Sequence, residues 1–273
     1  MMFEFEPLIR LGCFGGVLLL MMLWEWRAPR RPQRISRLGR WPHNLLLVVI
    51  NTVLLRLCFP LAAVGAALLA DERGWGLFNA LSVPFWVSVI LSLLILDLLI
   101  YLQHRLFHAV PWLWRLHRVH HADLEFDVTT GLRFHPVEIL LSMTLKLAAV
   151  TLIGAPALAV LLFEVLLNAT AMFNHGNVGL PKRLDKWLRL MLVTPDMHRV
   201  HHSVIPEETD SNFGFNLPWW DRLFNTYRAQ PQAGQLGMTI GLNQFRNPTE
   251  LRLHRLLLQP FRRSSIPPKT SDS

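Results

Sequence analysis

Two shortages in this 273-residue sequence narrow the possible functions. Only two cysteines occur, Cys13 and Cys58, and both lie in apolar runs. The sequence therefore supports neither a disulfide framework nor a metal site built from thiolates, which leaves imidazole as the plausible metal ligand. Charged residues make up 17% of the chain, against about 25% in soluble proteins. The shortage of charge argues against a soluble protein and directs attention to the apolar runs.

The apolar runs predict an all-α integral membrane protein. The first covers residues 8–26, is long enough to span a bilayer, and follows acidic residues rather than the basic segment of a signal peptide. We therefore expect a retained first span. Residues 44–70 and 81–103 form the next two runs. Residues 138–173, broken at Gly154-Ala155-Pro156, predict a helical hairpin. The fold expected is about three N-terminal transmembrane helices plus this hairpin.

Arginine supplies most of the formal charge of +8. Basic proteins often bind nucleic acid, but these arginines flank apolar spans, so we interpret them as topology signals and lipid-headgroup contacts. Six of them, and no acid, lie in residues 27–40, which makes this loop cytoplasmic by the positive-inside rule. Counting spans from there predicts that the region 104–202 meets the cytoplasmic membrane face.

Ten of the twelve histidines lie within that region. The pentapeptide HRVHH occurs twice, at residues 117–121 and 198–202, and HRLFH occupies residues 104–108. On a helix, positions i, i+3 and i+4 share one face, so each HRVHH presents three imidazoles in one direction. So many ligands exceed the needs of one metal with open positions and predict a dinuclear centre in a cytosolic helical cap. The predicted metal ligands are His104, His108, His117, His120, His121, His135, His175, His198, His201 and His202.

Other interpretations of the histidines stay open. Two histidines on adjacent spans can hold haem, which would leave the other histidines without a role. Basic helices can also lie among lipid headgroups. The same cluster could bind zinc and serve a hydrolase or isomerase. It could also belong to a non-enzymatic membrane protein that stores or transports metal. We keep a structural role for His43 and His254, which lie outside the cluster.

Several polar residues are candidates for supporting or catalytic roles. Asp97 and Tyr101 share a helix face with His104 and His108 through spacings of 4, 3 and 4 residues. Asp97 either orients a ligand imidazole through its second nitrogen or forms an ion pair with Arg56. An all-imidazole site leaves metal charge uncompensated, which favours nearby carboxylates. The further candidates are Glu138, Asp196 and Asp221.

Together these motifs resemble the three histidine boxes, HxxxH, HxxHH and HxxHH, of the fatty acid hydroxylase/sterol desaturase superfamily. The words around them are similar too: DLLIY at 97–101, RFHPVE at 133–138, FNHGN at 173–177, NFG at 212–214 and WDRLFNTY at 220–227. The resemblance covers about residues 85–228. One departure is Asn225, where many relatives have glycine; it affects a turn and not a ligand.

The resemblance implies a non-haem di-iron enzyme of the membrane that hydroxylates or desaturates a lipid with O2 and two electrons. It carries the ligand roles onto the eight box histidines, and His175 matches a further family histidine. We expect a separate electron-donor protein, cytochrome b5-like or a ferredoxin with its reductase, and no nucleic acid. The expected organisation is an N-terminal transmembrane region (1–80), a catalytic domain (81–230) and a partly disordered basic tail (231–273). Sterol, fatty acyl and related lipids are all compatible with it.

Overall fold

A computed structural model describes residues 5–262, and among these residues it contains helices and no strand. Two isolated β-bridges, Pro29 with Val178 and Ser203 with Ile240, connect loops. The helices are α1 (Glu6–Arg27), α2 (Trp41–Cys58), α3 (Ala62–Glu72), α4 (Leu77–Ala80), α5 (Phe85–Ala109), α6 (Pro111–His121), α7 (Pro136–Ile153), α8 (Ala157–Asn174), α9 (Lys182–Leu188), α10 (Pro195–His201), α11 (Pro206–Thr209), α12 (Trp219–Leu223), α13 (Gly234–Gly237) and α14 (Leu253–Leu258).

Five helical stretches are long and apolar enough to span a membrane, which agrees with an integral membrane protein. They are Glu6–Arg27, Arg37–Ala80, Phe85–Ala109, Pro136–Ile153 and Ala157–Asn174. Large apolar side chains on them point outward, with 72% of Leu152 and 65% of Trp86 exposed. A soluble protein would bury such residues, whereas a lipid environment accommodates them.

The second apolar run differs from the single helix expected over residues 44–70. It breaks after Cys58, and α3 starts at Ala62, whose φ is +51°. Pro60 explains the break, because proline lacks a backbone N–H and disfavours the helical conformation of the residue before it. The short helix α3 packs against α7 and α8.

The predicted hairpin is present as α7 and α8, joined at Gly154, which adopts φ +67°. Gly76, at φ +93°, lies directly against this turn: a Cβ added to it would come 2.2 Å from the Gly154 nitrogen. Helix α8 is central and contacts α1, α3 and α5. Its Val160 and Phe163 pack with Leu96 of α5 in the largest buried apolar cluster.

Part of the arginine-rich loop binds the region that carries the histidines. Arg30 forms an ion pair with Asp196, with Nη2 and Oδ2 3.0 Å apart, and buried Arg40 pairs with Asp123 and Asp127. These arginines therefore do more than contact headgroups. Their acidic partners are remote in sequence and were not identifiable from it. The contacts place the loop on the same side of the helices as the histidine motifs.

The segment after residue 230 packs back onto the helices as far as it is described. Leu256 of α14 is buried against Leu47 and Val119. The Gln259 carbonyl accepts a hydrogen bond from Arg118. Residues 263–273 of the expected tail lie outside the described residues.

Candidate metal centre

The two HRVHH motifs occupy equivalent places on their helices. Helices α6 and α10 both have proline in the first helical turn, Pro111 and Pro195. Proline suits this position because its missing N–H would have no partner inside the helix. Each motif then closes its helix, and His202 lies one residue beyond α10. Both helices therefore begin at a proline and carry their imidazoles at the C-terminal end.

Nine of the ten predicted ligands come together in two groups. Within each group the candidate ligand atoms all lie within 4.8 Å of one another. The first group is His104, His108, His117, His121 and His201, and the second is His120, His175, His198 and His202. The groups adjoin, since the rings of His121 and His202 stack with centroids 4.6 Å apart.

His135 is the predicted ligand that the structure does not bring to either group. Its Nδ1 accepts a hydrogen bond from the Val137 nitrogen at 3.2 Å, which caps the start of α7. Its Nε2 lies 3.2 Å from the Leu257 carbonyl oxygen. Both nitrogens are therefore engaged in holding backbone. His254 is exposed and stands apart from the cluster, as expected.

The spacing of the ring nitrogens fits metal ions. His104 Nε2 lies 3.1 Å from His117 Nε2, and His108 Nε2 lies 3.1 Å from His121 Nε2. Two imidazoles bound at about 2.1 Å to one ion are separated by about 3.0 Å when they subtend a right angle and about 3.4 Å in a tetrahedron. The observed separations match two ligands that share an ion.

Hydrogen bonding alone does not account for the second group. His175 Nε2 faces the Nε2 atoms of His120, His198 and His202 at 3.1, 3.1 and 3.2 Å. One imidazole N–H satisfies one acceptor, whereas a single cation is shared by four nitrogen lone pairs. In the first group, buried His201 Nε2 has no hydrogen-bond partner among residues 5–262. The residues present fit two metal ions.

Burial keeps these imidazoles in the neutral form that binds metal. It lowers the pKa of His117 to about 3 and that of His175 to about 3. The pKa values of His120, His198 and His201 also fall well below the ordinary value, first through burial and then through neighbouring histidines. A proton therefore competes poorly with a metal ion at neutral pH.

The outward-facing nitrogens of several predicted ligands lie next to defined hydrogen-bond acceptors. His117 Nδ1 lies 2.6 Å from Glu138 Oε1, the one predicted carboxylate that contacts a ligand. His175 Nδ1 lies 2.8 Å from the Ala171 carbonyl oxygen, four residues earlier on α8. Such contacts fix the tautomer and turn the other nitrogen toward the metal. His108 Nδ1 also lies 3.2 Å from Asp210 Oδ1. The spacing of the histidine motifs did not predict this contact.

The loop at residues 211–214 supplies two more acceptors from its backbone. The Phe213 carbonyl oxygen lies 2.8 Å from His104 Nδ1, and the Ser211 carbonyl oxygen lies 2.7 Å from His201 Nδ1. Asp221 holds this loop by accepting hydrogen bonds from the Phe213 and Gly214 nitrogens. In the sequence, the NFG motif was the one signal for this loop. It did not indicate that the backbone carbonyl groups contact the histidines.

The remaining polar candidates act at a distance from the histidines. Asp97 accepts hydrogen bonds from Asn216, Leu217 and Trp220 rather than binding an imidazole or Arg56. These contacts match neither interpretation of Asp97, because the loop after residue 214 folds over α5 and supplies the hydrogen-bond donors to the carboxylate.

Tyr101 and Asp196 likewise contact no ligand. The Tyr101 hydroxyl is 2.8 Å from Thr226 Oγ1, and Thr226 in turn donates to Asp221. Asp196 pairs with Arg30 and Arg199, and these cations lower its pKa against the opposing effect of burial. All three candidates thus hold the segments that carry or cover the histidines.

A cavity of about 500 Å³ between the candidate spans reaches the first histidine group. It lies between α1, α2, α5, α7 and α8, and His104, His117 and Glu138 line one end. Its walls are mainly apolar, with side chains such as Phe107 and Phe134. Binding sites for small molecules commonly have volumes of about 300–1,000 Å³. The site therefore has room for an apolar molecule next to the histidines.

One protein family matches the part of the chain that carries the histidine motifs. The fatty acid hydroxylase family model matches residues 89–226. The ornithine lipid hydroxylase of Rhizobium tropici is 33% identical over 158 residues, 57% of this chain and 47% of that protein. The human alkylglycerol monooxygenase is 27% identical over 192 residues, 67% of this chain and 40% of that protein.

Rat cholesterol 25-hydroxylase is 29% identical over 153 residues, 54% of this chain and 49% of that protein. The chain thus spans less than half the length of these curated relatives. No solved structure matches the chain.

Proposed function

The chain belongs to the fatty acid hydroxylase family, and from this premise we propose that it is a membrane-bound di-iron oxygenase that hydroxylates a lipid. The observation that carries the proposal is the pair of adjoining buried histidine groups, the first of which opens onto an apolar cavity between the candidate spans. When bound, two iron ions would supply the activation of O2, with two electrons from a separate donor protein.

Each part of the chain has a definite task in this proposal. The nine clustered histidines hold the metals, and Glu138 orients His117. The rings of His120, His198, His201 and His202 are fully buried, which excludes bulk water from the metals. The cavity positions a C–H bond of the lipid beside His104 and His117.

The relatives favour hydroxylation over desaturation, because the three compared above are named hydroxylases or monooxygenases. Their named substrates, an ornithine lipid, an alkylglycerol and cholesterol, are all amphiphiles. We therefore propose an amphiphilic lipid as the substrate. The arginine-rich loop lies on the same side as the histidines, so by the positive-inside rule we propose that the metal centre faces the cytoplasm.

Metal analysis of the detergent-purified protein, together with Mössbauer spectroscopy, tests the proposal. We expect about two irons per chain, and O2 uptake that depends on a reductant and a lipid. Replacement of His201 by alanine should deplete iron and abolish uptake. The matched variant His254→Ala, at an exposed position, should do neither. Two tightly held zinc ions with no O2 uptake would instead support a hydrolase or isomerase, and a single haem would overturn the site.

A further inference from the structure

The cavity beside the histidines has a second end that the proposed chemistry does not use. There its wall is formed by Arg10, Arg56, Lys146 and Glu164, all in the candidate spans. Lys146 lies eight residues along α7 from Glu138, which corresponds to about 12 Å at 1.5 Å per residue. Glu164 lies eleven residues before His175 at the end of α8, about 16 Å away by the same measure. This end is therefore well separated from the metal ligands.

The charges at this end do not balance. Lys146 Nζ lies 2.7 Å from Glu164 Oε1, and Arg10 Nη1 lies 2.9 Å from Glu164 Oε2. Arg10 also pairs with Glu6 at 2.8 Å. Among residues 5–262, and with Arg56 included, three cations at this end face two carboxylates, so one positive charge remains in excess.

Arg56 carries that excess. It lies in the cavity wall, and within residues 5–262 no carboxylate is close enough to form an ion pair with it. Its charge acts on Glu164 only through space. The network of Arg10, Lys146 and Glu164 is sufficient to tie α1, α7 and α8 together, so Arg56 has no part in that structural role.

A cation inside a candidate span that has no carboxylate partner is costly in a lipid environment, and such residues generally mark a ligand site. We propose that this end of the cavity binds an anionic group of the substrate lipid, a carboxylate or a phosphate, while the carbon to be oxidised lies at the end lined by His104 and His117. An anion here brings the charge count to neutrality and gives the guanidinium of Arg56 the acceptor it lacks. A neutral lipid leaves Arg56 unpaired. This inference rests on the proposed function and specifies the class of its substrate.

Binding of three probes with the same alkyl chain tests the inference. Palmitate, hexadecyl phosphate and 1-hexadecanol are titrated at pH 8 into the detergent-purified, metal-loaded protein, and equilibrium dialysis gives the three dissociation constants. At least one anion should bind roughly tenfold to a hundredfold more tightly than the alcohol, because the anion adds a charge-assisted hydrogen bond that the alcohol does not make. The anion that binds more tightly identifies the group.

Variants then assign the preference to Arg56. Arg56→Gln should remove the preference for the anion and leave binding of hexadecanol within about twofold, whereas Arg56→Lys should retain much of it. The matched control Arg183→Gln, on the exposed surface of α9, should change nothing. Equal affinity of the wild-type protein for the alcohol and both anions would overturn the inference without any variant. An equal loss of all three probes in Arg56→Gln would also overturn it.

Oxygen uptake on the same samples separates this inference from the proposed function. Uptake with hexadecanol, combined with no preference for anions, would refute the charge recognition and keep the oxygenase. Tight binding of an anion in a protein that holds no iron and consumes no O2 with any lipid would refute the oxygenase and keep the anion site.

Discussion

Two histidines that stand alone in the sequence, His135 and His175, have opposite places in the structure. His175 faces three other imidazoles through Nε2, whereas His135 caps α7 and contacts a backbone carbonyl. We therefore expect that His175→Ala removes metal from the second group and that His135→Ala leaves both groups occupied. The sequence predicted a ligand role for both residues.

The magnitude follows from the number of ligands. Tetrahedral structural zinc sites release about 10–16 kcal/mol on binding, or roughly 3 kcal/mol for each of four ligands. Loss of His175 leaves three imidazoles in its group, so affinity for that ion should fall roughly a hundredfold or more. Loss of the cap at His135 should cost about 1 kcal/mol of folding stability and no metal.

The assay combines iron content per chain after dialysis against a weak chelator with thermal unfolding in detergent. His175→Ala should retain about half of the wild-type iron, and His135→Ala all of it, with a slightly lower midpoint of unfolding. Equal loss of iron in the two variants would refute the division into a ligand and a cap. Full iron in His175→Ala would refute the second group itself.

Three further predictions concern the surroundings of the ligands. Glu138→Gln should weaken metal binding roughly tenfold to a hundredfold in a chelator competition, because the amide loses the charge that orients His117. Gly131→Ala should lower iron content, since its Cβ would lie 2.9 Å from His175 Nδ1 and 2.7 Å from the Ala171 carbonyl oxygen. The metal-free protein should lose stability as pH falls from 6.5 toward 3 in unfolding experiments. The unfolded chain then binds protons that the buried histidines, with folded pKa values near 3 for His117 and His175, do not.

Matched controls make these outcomes interpretable. Glu207→Gln changes an exposed acid and should leave metal affinity unaltered. Gly12→Ala adds a methyl group with nothing within 4 Å and should keep full iron. Unchanged iron in Gly131→Ala would show that α8 shifts to admit the methyl group. A stability of the metal-free protein that stays constant between pH 7 and 4 would contradict the burial of neutral imidazoles.

Local spacing was enough to predict most of the long helices and the histidines that come together in the two groups. The period of the α-helix places positions i, i+3 and i+4 on one face, so HRVHH indicated its own geometry wherever the helix lay. Gly154 and Pro156 likewise marked the hairpin turn, because each disfavours a continuous helix. Asn225 adopts φ +56°, which explains why glycine suits this position and why asparagine is tolerated.

What only the tertiary structure decided is which residues meet. The neighbours His120 and His121 belong to different groups, and each group combines histidines from separate helices. Asp97 and Glu138 are both acids inside apolar helices, yet one binds a covering loop and the other a ligand. A side chain's direction on its own helix follows from the backbone period, which is local. Its partner depends on how α5, α6, α8 and α10 pack, and that packing arises from contacts between residues far apart in the chain.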